Sequence, residues 1–195
     1  MIASEHFQKN LAFGQIAETR IAKWLRSRGN HLLPAYDIEY ETGKGPRLFG
    51  PLQKLVAPDF FVFGSQQLFW AECKRKRVFT WHRKTQRWTT GIDLYHWRDY
   101  LQVAEVTRTP VWLLFLHENS SPDARDLRFG CPGECPVGLY GNDIACLRDH
   151  ISRTCDAFSD GTGWGKSGMV YWAVDDLRLL ASLAEVTQPG EVVAQ

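Results

Sequence analysis

The chain has 195 residues, with 23 lysines and arginines against 22 acids and a formal net charge of +1. That length fits one domain with room for an appendage, and 44% apolar residues are enough for a real core. The near-neutral balance says little about partners, and no N-terminal run resembles a signal peptide or approaches the ~20 apolar residues of a membrane span. A soluble cytoplasmic protein with no membrane partner is expected. Five cysteines are an odd number and Cys73 falls in a predicted core strand, which suits a reducing compartment better than a disulfide framework.

Ser4 to Gly29 reads as one long helix. Phe7, Leu11, Gly14, Glu18, Ile21 and Leu25 recur at steps of four and three, one helical face, and Gly29-Asn30 supplies the stop. Glu18 is the one charged member of that stripe. A carboxylate there needs a partner or a metal, unless it leans off the face toward Arg20, Lys23 or water. A strand is expected over Ala35–Tyr40. A Gly- and Pro-rich loop follows over Thr42–Ala57, carrying Lys44, Arg47 and Lys54.

The next stretch, Pro58 to Lys74, reads as a hairpin. Phe60-Phe61-Val62-Phe63 is aromatic and β-branched, Gly64-Ser65-Gln66-Gln67 carries turn chemistry, and Leu68 to Lys74 returns. With Ser65 and Gln66 as the loop residues, Phe63 faces Leu68, Phe61 faces Trp70 and Asp59 faces Glu72. Two carboxylates then stand opposite each other, with Cβ atoms about 4.5–5.5 Å apart, on the face that holds the bulky apolar residues. Such a pair shares a proton, raises one pKa or finds a cation. Lys74 is on the same face, and a hard ion such as Mg²⁺ or Mn²⁺ suits oxygen ligands. A surface hairpin with scattered charges is the plain alternative, and a one-residue slip in register sends Asp59 to the other face.

Arg75 to Trp88 contains no acid: Arg75, Lys76, Arg77, His82, Arg83, Lys84 and Arg87 interleave with Phe79, Trp81 and Trp88. Such a run suits a nucleic-acid backbone with stacked bases; as a plain hairpin, its tryptophans cover the core. Asp93 is a plausible N-cap for a helix over Leu94–Arg108 whose apolar face is Leu94, Trp97, Leu101 and Ala104. Tyr100 and Gln102 point either to the site or to solvent. Thr109-Pro110 ends this helix, and Val111–Leu116 is a strand covered on both sides. Asn119–Gly168 is a turn-rich insertion. Its Cys131, Cys135 and Cys146, with His150 or Cys155, are candidate ligands of a structural zinc ion, although the spacings are irregular and unrelated thiols are the simpler reading. Met169–Ala173 reads as a last strand and Asp175–Ala184 as a closing helix.

These elements define an α/β protein: an αβββαβ core with a central mixed four-stranded sheet flanked by helices, plus the Cys-containing insertion and a C-terminal strand and helix. The expected divisions are a core over 1–117, an insertion packed on it over 118–168, and the end of the same domain over 169–195.

Glu18 on the first helix, Pro58-Asp59 and Glu72-Cys73-Lys74, followed by a helix and an apolar strand, resemble the PD-(D/E)xK nuclease superfamily, and within it the resolvase-like and phage-type nucleases. The resemblance covers Phe7 to Leu116. It implies a divalent-metal-dependent (endo)nuclease acting on DNA, selective for structure or ends rather than for a fixed sequence, with a homodimer common among such relatives. It implies that Asp59, Glu72 and the Cys73 backbone carbonyl bind Mg²⁺ or Mn²⁺. Glu18 would complete the acidic cluster, and Lys74 would orient or activate the attacking water. Lys44, Arg47, Arg75, Lys76, Arg77, His82, Arg83, Lys84 and Arg87 are the expected DNA contacts. A module that binds nucleic acid or protein without turnover is the rival reading.

Overall fold

A computed structural model describes residues 5–35, 46–51, 53–155 and 168–189, with side chains from residue 13 onward. The chain runs α1 (Glu5–Ser27), β1 (His31–Pro34), β2 (Arg47–Phe49), β3 (Lys54–Val56), β4 (Phe60–Phe63), β5 (Leu68–Lys76), β6 (Thr80–His82), β7 (Arg87–Asp93), α2 (Leu94–Thr107) and β8 (Val111–His117). It continues as α3 (Ala124–Arg128), β9 (Gly138–Asp143), α4 (Ile144–Asp149), β10 (Arg153–Cys155), β11 (Met169–Ala173), a 3₁₀ turn (Val174–Asp176), β12 (Arg178–Ala181) and α5 (Leu183–Thr187).

The central sheet is mixed, as expected, and lies between helices. Its order is β1-β4-β5-β8-β9-β12. Three of the anticipated strands, β4, β5 and β8, stand with β1 in its first four places, antiparallel except for the β5–β8 pair, which is parallel because α2 lies in the crossover. The insertion and the C-terminal stretch extend it by β9 and β12, to six strands. A second, four-stranded sheet, β10-β11-β7-β6, was not anticipated.

Alternation along the strands divides the core in two. Phe60, Val62, Ala71, Cys73, Leu114 and Leu116 pack with Ala17, Ile21 and Leu25 of α1. Leu113 and Phe115 face the other way, against Trp97, Tyr100 and Val103 of α2 and Ile92, Val170 and Trp172 of the second sheet. The β4–β5 hairpin keeps the expected register, with Phe61 opposite Trp70 and Phe63 opposite Leu68.

Several expectations need correction. The loop over Thr42–Ala57 contains the β2–β3 hairpin, fixed to α2 where the Asp99 carboxylate accepts the Val56 N–H at 2.8 Å. The first strand is His31–Pro34; Ala35 follows it, and the remainder of the expected Ala35–Tyr40 strand lies outside the described residues. The insertion holds α3, β9, α4 and β10 as well as turns. Asp175–Ala184 is not a helix. Leu177, Leu180, Ala181 and Ala184 fall at helical spacing, but a 3₁₀ turn closed by Asp176 on the Ala173 N–H is followed by the edge strand β12 on β9. Sheet pairing overrides the local pattern.

Gly91 shows how closely the second sheet is packed. A Cβ at this position would lie 2.2 Å from the Val170 carbonyl oxygen on β11. Gly91→Ala therefore forces β7 and β11 apart and is expected to cost roughly 1–3 kcal/mol. Urea unfolding measures it; an unchanged midpoint would contradict the close approach.

Candidate active site

The site is built where one strand ends and its neighbour continues. Pro58 has no N–H to give, and the β4 ladder begins at Phe60 opposite Ala71. Beyond it the β4 edge of β5 has no partner strand, and the Asp59 side chain takes that place: its Oδ2 accepts the Cys73 N–H at 2.7 Å. In a pleated strand the N–H and C=O of one residue leave on the same edge. The Cys73 carbonyl therefore faces the gap beside Asp59.

Glu72 lies across from Asp59 and is 2% exposed. Its carboxylate is ion-paired to the Lys74 ammonium, and its charge acts on the buried Tyr100 hydroxyl of α2, whose pKa burial and then Glu72 raise. Glu72 lies on the apolar face expected for it: it is in register with Leu113, and Trp70 beside it packs on the core under α2, while Phe63 and Leu68 at the hairpin tip are 41% and 47% exposed. Lys74 keeps 30% of its side chain accessible, so an incoming group can reach it.

The four residues marked in the sequence act on one another. Burial raises the Asp59 pKa well above its ordinary value and Glu72 adds to it, with Lys74 opposing. Glu18, half-buried on α1, is raised by burial and then by Glu72, again with Lys74 opposing. Burial disfavours the Lys74 charge, yet Glu72 and Asp59 outweigh it and hold the lysine protonated. Three acids and one lysine form a single electrostatic group with an excess of negative charge.

The donors decide which cation this group could hold. Among the described residues no three His, Cys, Asp or Glu side chains are grouped so as to hold a metal. Two carboxylates and a backbone carbonyl do not make a protein cage. They do fit Mg²⁺ or Mn²⁺, which take one or two carboxylates and keep their waters. The cysteines are not gathered for zinc. Cys135 is buried and bonds to the Asn119 carbonyl, Cys146 lies beside His150 on α4, Cys131 is half-buried, and Cys155 is exposed on edge strand β10.

The basic segment is divided by the same alternation. Arg75 projects to the α1 face, where its guanidinium pairs with Glu118 and sits 4.0 Å from the Phe13 ring; Arg20 reaches the same Glu118. Arg83 lies over Phe129 at 3.9 Å, and Arg87 is 3.7 Å from Asp175. The His82 ring bonds to Thr85, Arg77 and Lys84 are exposed, and Arg47 lies on β2. Lys44 falls outside the described residues. Base stacking on this segment is not available to Phe79 or Trp88: Phe79 is fully buried against His117, and Trp88 is in the core with Trp81 packed on it at 5.0 Å.

Sequence reasoning left Tyr100 undecided and missed His96 and a role for Asp93 in the site. Tyr100 is three residues from Trp97, on the buried stripe of α2, and that spacing was the available signal. Asp93 occupies the N-cap position without making a capping bond; its charge acts on Lys74 and Lys76 instead.

No family model matches the chain, and no curated protein matches it. Among solved structures, the chain is similar to the Holliday junction resolvase Hjc of the archaeal hyperthermophile Archaeoglobus fulgidus, solved at 1.6 Å resolution. The two are 9% identical, and the match covers 89% of this chain and 98% of that one with a TM-score of 0.47.

Asp59 and Glu18 bind their protons more tightly folded than unfolded. The folded state therefore loses stability as pH rises above the ordinary carboxylate value of about 4. Asp59→Asn keeps an oxygen for the Cys73 N–H and removes the charge. In metal-free buffer its melting temperature should exceed that of the wild type at pH 7–8, and the gap should close near pH 4. A variant less stable at pH 8 would contradict the assigned charge excess.

Proposed function

We propose that the protein is a divalent-metal-dependent nuclease that hydrolyses DNA phosphodiester bonds, selective for DNA structure or ends rather than for a base sequence. The observation that carries this reading is the Asp59–Glu72 carboxylate pair at the open end of the β4–β5 ladder, with Lys74 partly accessible beside it.

Asp59, Glu72 and the Cys73 carbonyl would hold Mg²⁺ or Mn²⁺, with Glu18 acting through water. Bound there, the ion supplies a nucleophile at neutral pH and neutralises charge on the phosphate. The chain's own groups do the rest. The Cys73 N–H fixes the Asp59 carboxylate, and Lys74 fixes Glu72. Lys74, held protonated, donates to a phosphate oxygen and supports the charge that develops on it; the same state makes it a poor base. The exposed Arg77 and Lys84 and the basic residues around them offer phosphate contacts that carry no base information.

The test is cleavage of branched, nicked and plain duplex DNA in Mg²⁺ or Mn²⁺. Glu72→Ala and Lys74→Ala should each lose about 10²-fold or more in rate. Equal activity in all three proteins would remove the assignment. DNA binding without turnover, together with Mn²⁺ affinity indifferent to Asp59, would establish the silent binding module instead.

A further inference from the structure

Glu72, Lys74 and Lys76 alternate onto the same face of β5. Lys76 lies one pleat repeat, about 6.6 Å, beyond Lys74 on the side away from Asp59. Lys74 is ion-paired with Glu72, whereas no carboxylate among the described residues lies within ion-pair distance of Lys76. Lys74 precedes it on β5, Asp93 ends β7 with His96 of α2 4.0 Å away, and His117 is in register on β8. His117 is fully buried, stacked on Phe79 at 3.5 Å, and neither ring nitrogen has a partner.

We propose that Lys76 is a second catalytic lysine, the acid that gives its proton to the oxygen leaving phosphorus, while Lys74 remains a fixed cation on the phosphate. This rests on the nuclease reading. The row of side chains supplies the geometry. The acids stand at one end, Lys74 in the middle and Lys76 at the other end, which suits a displacement whose entering and leaving oxygens lie on opposite sides of phosphorus. The water oxygen bonds to phosphorus and its proton goes to solvent. The bond from phosphorus to the bridging oxygen breaks with its electron pair on that oxygen, which takes a proton from the Lys76 ammonium. Lys76 then regains a proton from solvent.

The surroundings of the two lysines support the division. Burial, followed by Lys74, pushes the Lys76 pKa down to about 8 against the opposing pull of Asp93, while the acids hold Lys74 up. His117, pushed down to about 3 by burial and by Lys76, stays neutral and adds no charge. Titratable neighbours pushed apart in this way mark the proton donor and the fixed charge, and a donor works best with a pKa near the working pH.

The experiment compares wild type, Lys76→Arg and Lys76→Met on two DNA substrates. One is natural; in the other the departing bridging oxygen, identified from the product ends, is replaced by sulfur, which leaves without a proton. Both variants should cleave the natural bond about 10²-fold or more slowly and the sulfur-bridged bond at close to the wild-type rate. Circular dichroism and DNA affinity measured in Ca²⁺ check that Lys76→Arg is folded and binds. Rescue by arginine, or equal loss on both substrates, makes Lys76 a phosphate contact and overturns the proposal. Natural-bond cleavage unaffected by either substitution overturns it and leaves the nuclease reading standing. A wild type inactive on both substrates overturns both.

Discussion

The site depends on an unfinished β-ladder. Strand β4 begins only at Phe60, so β5 carries Glu72, Cys73 and Lys74 past the end of its partner. A backbone edge left there without partners would cost free energy. The Asp59 carboxylate fills the vacancy by accepting the Cys73 N–H, which brings it next to Glu72. One side chain thus completes the sheet and creates a like-charge pair. The fold stabilises the first effect and tolerates the second because Lys74 answers part of the charge.

Everything around this point restrains it. Tyr100 reaches down from α2 to Glu72, and the β2–β3 hairpin is pinned to the same helix through Asp99. Glu118, just beyond β8, joins Arg20 of α1 to Arg75 of β5 and so holds α1, with Glu18, against the strand that bears the site. The second sheet closes the α2 side of the core and delivers Asp93 toward the lysines. Rigid elements on both faces leave the acids little room to move apart, as a site that must present oxygens at fixed spacing requires.

The β4–β5 hairpin could be read because its signals are local. Turn residues Gly64–Gln67 set the register, and a period of two then decides which side chains face each other. The α2 crossover and the apolar run of β8 were legible for the same reason. The second sheet was not. Strand β7, with Thr89, Thr90 and Gly91, is small and polar, and its inner edge is completed only by β11, far along the chain, while β6 pairs with the other. The basic segment misled in another way. Arg75, an expected nucleic-acid contact, is paired with Glu118, and no spacing within the segment announces that; Trp88 lies in the core, as a plain hairpin would have it. The meeting of Asp59, Glu72 and Lys74 was legible in sequence, whereas the place of Tyr100 beside Glu72 depended on the rotation of α2 about its axis, which short-range pattern leaves open.

The central claim is that Asp59 and Glu72 together hold one divalent ion beside Lys74. A crystal soaked in Mn²⁺, with data collected for anomalous scattering, tests it directly. The account predicts one strong peak between the two carboxylates, within ligand distance of the Cys73 carbonyl, and no such peak in Asp59→Ala crystals. An empty gap in the wild type at saturating Mn²⁺, with the Lys74–Glu72 pair undisturbed, would contradict it.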